Sequence, residues 1–221
     1  MPVPPDVIAF DVMGTLVSLE SLEPLLVEAG APPPAVDGWF RRVLADGFAL
    51  TAAGDYRCFA DVAGATLDAV LPDAPAHLKK AVLAGLADLE PYVDSAPAMG
   101  RAVQGARVIV ISNGSAASTQ QLLERGGLDA FVEAVVSVEE VGAWKPAPAA
   151  YLRAAEAVDV PVERLAMATA HPWDVHGAQR SGLSTGWCNR SGVDTFPATF
   201  KPADVEGPQL LSVVEGLLSL S

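Results

Sequence analysis

Cysteine is almost missing: Cys58 and Cys188 are the two thiols in 221 residues. Their wide separation matches neither a disulfide framework nor a metal-binding pair, so both read as buried free thiols with no catalytic part. No apolar run reaches the roughly 18 residues that a membrane span needs, although 51% of the chain is hydrophobic. The N-terminus lacks a basic segment leading into an apolar stretch and a small-residue cleavage site. No export signal is read there, and the cytoplasm is the expected location. Basic residues are scarce too, 14 Lys and Arg against 27 Asp and Glu, for a formal charge of -13. That field repels nucleic-acid backbones and anionic lipid, which argues against either as a partner. A G-x-S-x-G stretch occurs at Gly182 to Gly186, but it leads into the apolar run Thr185 to Cys188 and does not turn from a strand into a helix, so an unrelated serine hydrolase is poorly supported. So apolar a chain is not a disordered one, and its length suits one ordinary core with or without a smaller insert.

Short apolar runs recur at Val7 to Phe10, Val108 to Ile111, Ala134 to Val136, Leu165 to Ala168 and Thr185 to Cys188. Most are separated by enough chain for a helix. The pattern predicts an α/β fold, a Rossmann-like three-layer core in which crossover helices link the strands of a parallel sheet. Nearly a hundred residues between the first and second runs contain no convincing strand. There Val36, Phe40, Val43, Leu44 and Phe48, and later Leu78, Val82, Leu86 and Leu89, recur at helical spacing, punctuated by Pro32 to Pro34 and by Pro72. The expected division is a catalytic core of residues 1–17 and 93–221, with a helical cap of residues 18–92 inserted after the first strand.

Ligands of open parallel sheets bind beyond the carboxyl ends of the strands. Asp11 ends the first run and Ser112-Asn113-Gly114-Ser115 the second; Lys145 lies in the loop after the third, and Thr169 to Asp174 follows the fourth. A nucleophile, an anion cradle, a cation and a second carboxylate are therefore expected to converge. Asp11 as nucleophile needs a nearby cation to keep it ionised, which Lys145 can supply. Thr15 and Ser112 offer hydroxyl donors, and N–H groups from Ser112 to Ser115 offer a site for a substrate carboxylate at a helix N-terminus. Asp174 can anchor Lys145 or orient water. In the insert, Arg41 shares a helical face with Leu44 and Phe48, whereas Arg42 faces Asp46. An arginine on an apolar face calls for an anion, and a paired arginine at the edge of the core is the alternative. Trp173, Trp39 and Tyr56 are candidates for a pocket wall, with plain core packing the alternative for each.

The stretches "FDVMGTL", "VIVISNGS", "WKPAPAAY" and "ATAHPWDVHGAQRSGLSTGW" resemble, in order and spacing, the four motifs of the haloacid dehalogenase-like hydrolase superfamily. The helical insert sits where that superfamily places its cap. "SNGS" and "HPWD" look most like the 2-haloacid dehalogenase branch, with the L-2-haloacid dehalogenases nearest. The resemblance implies displacement of halide from a small 2-haloalkanoic acid through an ester on Asp11, without a cofactor. The catalytic residues it implies are Asp11, Thr15, Lys145, Thr169, His171 and Asp174. Ser112, Asn113, Arg41 and Trp173 would bind substrate, with Arg41 and Asn113 receiving the departing halide. His171 stands where these dehalogenases carry an asparagine that helps place the hydrolytic water, and a histidine there can activate water.

Met13 separates the branches. Phosphatases of this superfamily carry a second aspartate at that position to protonate the leaving alcohol, and methionine delivers no proton. Ala170 and Thr169 stand where a phosphatase would carry a further acid, which reduces a hard-cation site to Asp11 and Asp174. Magnesium is thus expected only under the phosphatase alternative. A halide leaves as a stable anion and needs no general acid. The best-understood dehalogenases carry an aromatic residue at the Met13 position, a departure in this chain. The expected partner is a small anionic substrate, and the sequence leaves a homodimer open. The rival readings are a phosphatase of the same fold and a non-catalytic binding protein built on it.

Overall fold

The computed structural model describes residues 4–190, 192 and 195–221. Strand β1 (Val7–Phe10) is buried along its whole length in the interior of the sheet. Its continuous apolar character follows from helices covering both faces of a parallel sheet. β2 (Arg107–Ser112) and β3 (Ala134–Ser137) extend the sheet on one side of β1. β4 (Leu165–Thr169), β5 (Ser184–Cys188) and β6 (Val205–Gly207) extend it on the other. The order is β3-β2-β1-β4-β5-β6 and every pairing is parallel. Each apolar run is therefore a strand. β6 is an additional short edge strand with a half-exposed, partly charged sequence, so no apolar run announces it. The chain order reverses on either side of β1, and this opens a crevice at the carboxyl ends of β1, β2 and β4.

Between β1 and β2 the chain forms α1 (Glu23–Glu28), α2 (Ala35–Ala52), α3 (Phe59–Val70) and α4 (Ala76–Gly85), then α5 (Ser95–Ala102). Further on, α6 (Ala116–Arg125), α7 (Pro148–Ala157), α8 (Pro172–Arg180) and α9 (Leu210–Leu218) cover the sheet. The helical excursion is pinned at its root: Ser18 N donates to Glu90 O at 2.8 Å, and Tyr92 N donates to Leu16 O at 3.0 Å. Val36, Phe40, Val43 and Leu44 of α2 are buried, as their spacing requires. Among the described residues, no helix is long and apolar enough to cross a membrane.

The helical layer is seated on the core by Trp144, which is fully buried. Its indole Nε1 donates to Arg57 O at 2.9 Å, its backbone N donates to Thr51 Oγ1 at 3.0 Å, and Phe59 stacks on its ring at 5.7 Å. A buried tryptophan combines a large apolar contact area with one polar atom that needs a partner, and here the α2–α3 connection supplies that partner.

Candidate active site

Asp11 follows β1 directly, and its backbone N donates to Ala168 O at 3.2 Å, which holds it at the strand ends. Gly14 turns the chain with φ +79°, a conformation that L side chains rarely adopt. The turn carries Thr15 back beneath Asp11. Its hydroxyl donates to Asp11 Oδ2 at 2.8 Å and accepts from Ala170 N at 3.0 Å, so its direction is set from both sides. The Thr15 carbonyl is held in turn by Arg190 Nη2 at 2.7 Å. Arg190 had no signal in the sequence, because it lies far along the chain after β5.

Lys145 is completely buried, and its Nζ lies 2.7 Å from Asp11 Oδ1 and 2.9 Å from Asp174 Oδ2. The other Asp174 oxygen accepts a 2.5 Å hydrogen bond from Tyr151. Burial pushes the Asp11 carboxyl up, but the Lys145 charge, His171 and the hydrogen bonds from Lys145 and Thr15 outweigh it and leave it below the ordinary range. Asp174 goes the other way: burial, with Asp11 as a like-charged neighbour, outweighs Lys145 and the Tyr151 hydrogen bond and holds it above. Burial works against the Lys145 ammonium, yet the two carboxylates prevail and raise it. The result is an ionised Asp11 carboxylate beside a firmly charged lysine. Tyr151 falls within the quoted "WKPAPAAY" stretch, but an aromatic on the buried face of a helix reads as packing.

Above Asp11 lies a small cavity of about 20 Å³, room for roughly one or two water molecules. Its polar lining comes from Asp11, Ser112, Asn113, Gly114 and His171. Phe40 and Leu44 of α2 and Phe59 of α3 roof it, and Met13 and Trp173 complete the apolar wall. Ser112 Oγ accepts from Gly114 N and from Thr119 Oγ1, each at 3.0 Å, so its own proton is left to donate. Asn113 Oδ1 is taken by Lys145 N at 2.9 Å, which leaves its amide N–H groups for a ligand. The cradle differs from the sequence expectation here. The Gly114 N–H is consumed by Ser112, and Ser115 Oγ caps α6 by accepting from Ser118 N at 3.0 Å, so the side-chain donors of Ser112 and Asn113 join the N–H groups of this turn in place of the Gly114 N–H.

His171 Nε2 lies 2.8 Å from Met13 O and 3.4 Å from Asp11 Oδ2, and its ring stacks on Trp173 at 5.1 Å. Thr169 is buried, and its Oγ1 accepts from His171 N at 3.1 Å; it shapes this turn without lining the cavity. Arg41 stands apart. Its side chain is 82% exposed, 4.0 Å from Asp37. It lines an open groove of about 680 Å³ that shares His171, Trp173, Phe40 and Leu44 with the inner cavity. Arg42 pairs with Asp46 at 2.9 Å. Trp39 and Tyr56 do not line the inner cavity.

The donor set does not suit a hard divalent cation. All four carboxylate oxygens of Asp11 and Asp174 are engaged by Lys145, Thr15 and Tyr151. Among the described residues no group of three His, Cys, Asp or Glu side chains could hold an ion, whereas such cations take about six oxygen ligands.

The chain is similar to known proteins. The haloacetate dehalogenase H-2 of Moraxella sp. (strain B) is 34% identical over 89 residues, 40% of this chain and 40% of that protein. The (S)-2-haloacid dehalogenase 2 of Pseudomonas sp. (strain CBS-3) is 33% identical over 105 residues, 47% of this chain and 46% of that protein. The chain thus spans less than half the length of each of these relatives. The structure of L-2-haloacid dehalogenase from Xanthobacter autotrophicus with chloropropionic acid covalently bound has a TM-score of 0.87, covering 98% of this chain and all of that one. At 20% identity that is a likeness of fold. The family description "haloacid dehalogenase-like hydrolase" matches residues 5–182, most of the chain, and the protein belongs to that family.

Proposed function

We propose that this hydrolase displaces halide from a small 2-haloalkanoic acid. The observation that carries the reading is Met13, whose side chain lines the cavity beside Asp11 where a phosphatase needs a proton donor. An Asp11 oxygen attacks the α-carbon in line; the new C–O bond forms as the carbon–halogen bond breaks, and halide leaves with the bonding pair. Lys145 and Thr15 keep the carboxylate ionised and aimed, and Asp174, fixed by Tyr151, anchors Lys145. The free donors of Ser112 and Asn113 hold the substrate carboxylate, and Trp173 and Met13 wall its apolar end. Thr169 acts through the turn that carries His171. Arg41, at the mouth of the outer groove, draws anions in against the net charge of -13. Water then adds to the aspartyl carbonyl, and the hydroxyacid departs with the oxygen that had belonged to Asp11. Residues 18–92 act as the cap over a core of 1–17 and 93–221, and two unpaired cysteines suit the cytoplasm.

The test is halide release from chloro-, bromo- and fluoroacetate and 2-halopropionates, with and without chelator, beside a phosphate ester. Chelator-insensitive halide release is expected. Magnesium-dependent turnover of the phosphate ester alone would establish the phosphatase, and an intact, folded chain inert across the panel would favour a non-catalytic binding protein. With enzyme in excess in heavy-oxygen water, one turnover should give mostly unlabelled hydroxyacid and a label on the Asp11 peptide. Fully labelled first-turnover product with an unlabelled Asp11 would exclude the ester. Asp11→Asn should abolish halide release without unfolding the chain, provided deamidation is excluded by intact mass.

A further inference from the structure

We propose that His171 serves as a hydrogen-bond donor to the oxyanion formed on Asp11, and not as the base that activates water. The inference rests on the dehalogenase reading. It follows from one partner: the atom 2.8 Å from His171 Nε2 is the Met13 carbonyl oxygen, which can only accept. Nε2 therefore carries a proton in the neutral ring and in the imidazolium alike and has no lone pair to take one from water; the lone pair of the neutral ring is on Nδ1, the nitrogen farther from Asp11. That same N–H lies 3.4 Å from Asp11 Oδ2, the oxygen to which Thr15 donates at 2.8 Å. The other oxygen, Oδ1, belongs to Lys145.

The ring is held in place. It stacks on Trp173 with planes 16° apart. On another side a Cβ added at Gly14 would stand 3.0 Å from His171 Cε1, so the turn packs directly against the imidazole. A donor fixed in advance of the reaction is what stabilises charge as it develops.

The chemistry divides between the two oxygens. In the ester, Oδ1 carries the substrate carbon and Oδ2 is the carbonyl oxygen. Water forms a bond to Cγ, and the carbonyl π pair moves onto Oδ2, where Thr15 O–H and His171 N–H receive it. The Cγ–Oδ1 bond then breaks and the carbonyl reforms. Of the two water protons, one ends on the hydroxyl of the product and the other is released, because Asp11 is regenerated as a carboxylate.

Three proteins decide it: wild type, His171→Ala and His171→Gln, whose amide N–H reaches the position of Nε2 but cannot act as a base. Halide bursts, ester on Asp11 by intact mass, and melting temperature are read on each with chloroacetate. The alanine variant should release about one halide per site and then stall as ester, its hydrolysis slowed by roughly 10²–10³. The glutamine variant should recover to within about tenfold of wild type. A general change in structure would lower the burst as well as hydrolysis. Glutamine as slow as alanine, alanine as fast as wild type, or a lost burst in folded alanine variant would each overturn the inference. Wild type without halide release would overturn the dehalogenase reading and this inference with it.

Discussion

Gly47 in α2 packs so closely on Trp144 that a Cβ built on the glycine would stand 2.6 Å from indole Cζ3. No real Cβ tolerates that approach to a ring, and Trp144 cannot yield. It is fully buried and hydrogen-bonded at both its indole and its backbone nitrogen. Gly47→Ala should therefore lift α2 from the core. Alanine gains about 1 kcal/mol of helix propensity, against an overpacking cost of about 1–3 kcal/mol. Net destabilisation is expected, with a raised KM because Phe40 and Leu44 of the same helix roof the cavity. Denaturant unfolding beside steady-state halide release checks it, and a more stable variant with unchanged KM would contradict it.

Lys145→Ala should leave two buried carboxylates without their shared cation. Breaking such a pair typically costs about 3–5 kcal/mol, and the displacement rate should fall by several powers of ten. The residual activity carries a second signature. In the wild type Asp11 titrates below its ordinary value of 3.8 because Lys145 opposes burial. Displacement should persist as pH falls until that lowered value is crossed. Without Lys145 burial is opposed less, the carboxyl rises, and the acid limb of the halide burst should move to higher pH. An unmoved limb would separate Lys145 from Asp11 ionisation.

Tyr151→Phe removes the 2.5 Å hydrogen bond to Asp174 and leaves a buried carboxylate oxygen unpaired. A lost bond to a charged group costs about 1.5–3 kcal/mol. The Tyr151 hydrogen bond lowers an Asp174 carboxyl that burial has raised, so the variant should raise it further. The stability difference should be full above the variant's Asp174 value, the higher of the two, and shrink as pH falls from there to the wild-type value, because the variant's acid is protonated first and a protonated acid needs the donor less. Urea unfolding of both proteins at neutral and mildly acidic pH reads this; a pH-independent difference would count against it.

Arg41→Ala should leave the melting temperature unchanged, since its side chain is 82% exposed and its Asp37 contact is 4.0 Å long. Its effect should fall on kcat/KM for anionic substrates, by less than about tenfold, and fade as salt is raised. A large loss in kcat that ignores salt would place the guanidinium at the reacting atoms instead.

How far did the chain alone lead? The apolar runs from Val7, Val108, Ala134, Leu165 and Thr185 became strands, because burial on both faces demands uninterrupted apolar side chains and leaves a visible mark. The residues that follow them were legible as a candidate site for a topological reason: parallel strands deliver all their carboxyl ends to one edge. Helical periodicity correctly placed Val36, Phe40, Val43 and Leu44 inward. It also put Arg41 near that face, but periodicity assigns a direction around a helix and says nothing of what stands opposite. Only packing showed that Arg41 meets an open groove while Phe40 and Leu44 close the cavity.

Other features were decided by tertiary structure alone, because they join residues whose separation carries no local signal. Tyr151 gains its part from where α8 brings Asp174. Trp144 becomes the seat of the helical layer because Arg57 and Thr51, far back in the chain, meet its two N–H groups. Residue type left His171 free to be acid, base, donor or packing. Which of its nitrogens faces Asp11, and what else that nitrogen touches, depends on the Met13 carbonyl across the crevice, a backbone atom present at every position and therefore invisible in any sequence pattern.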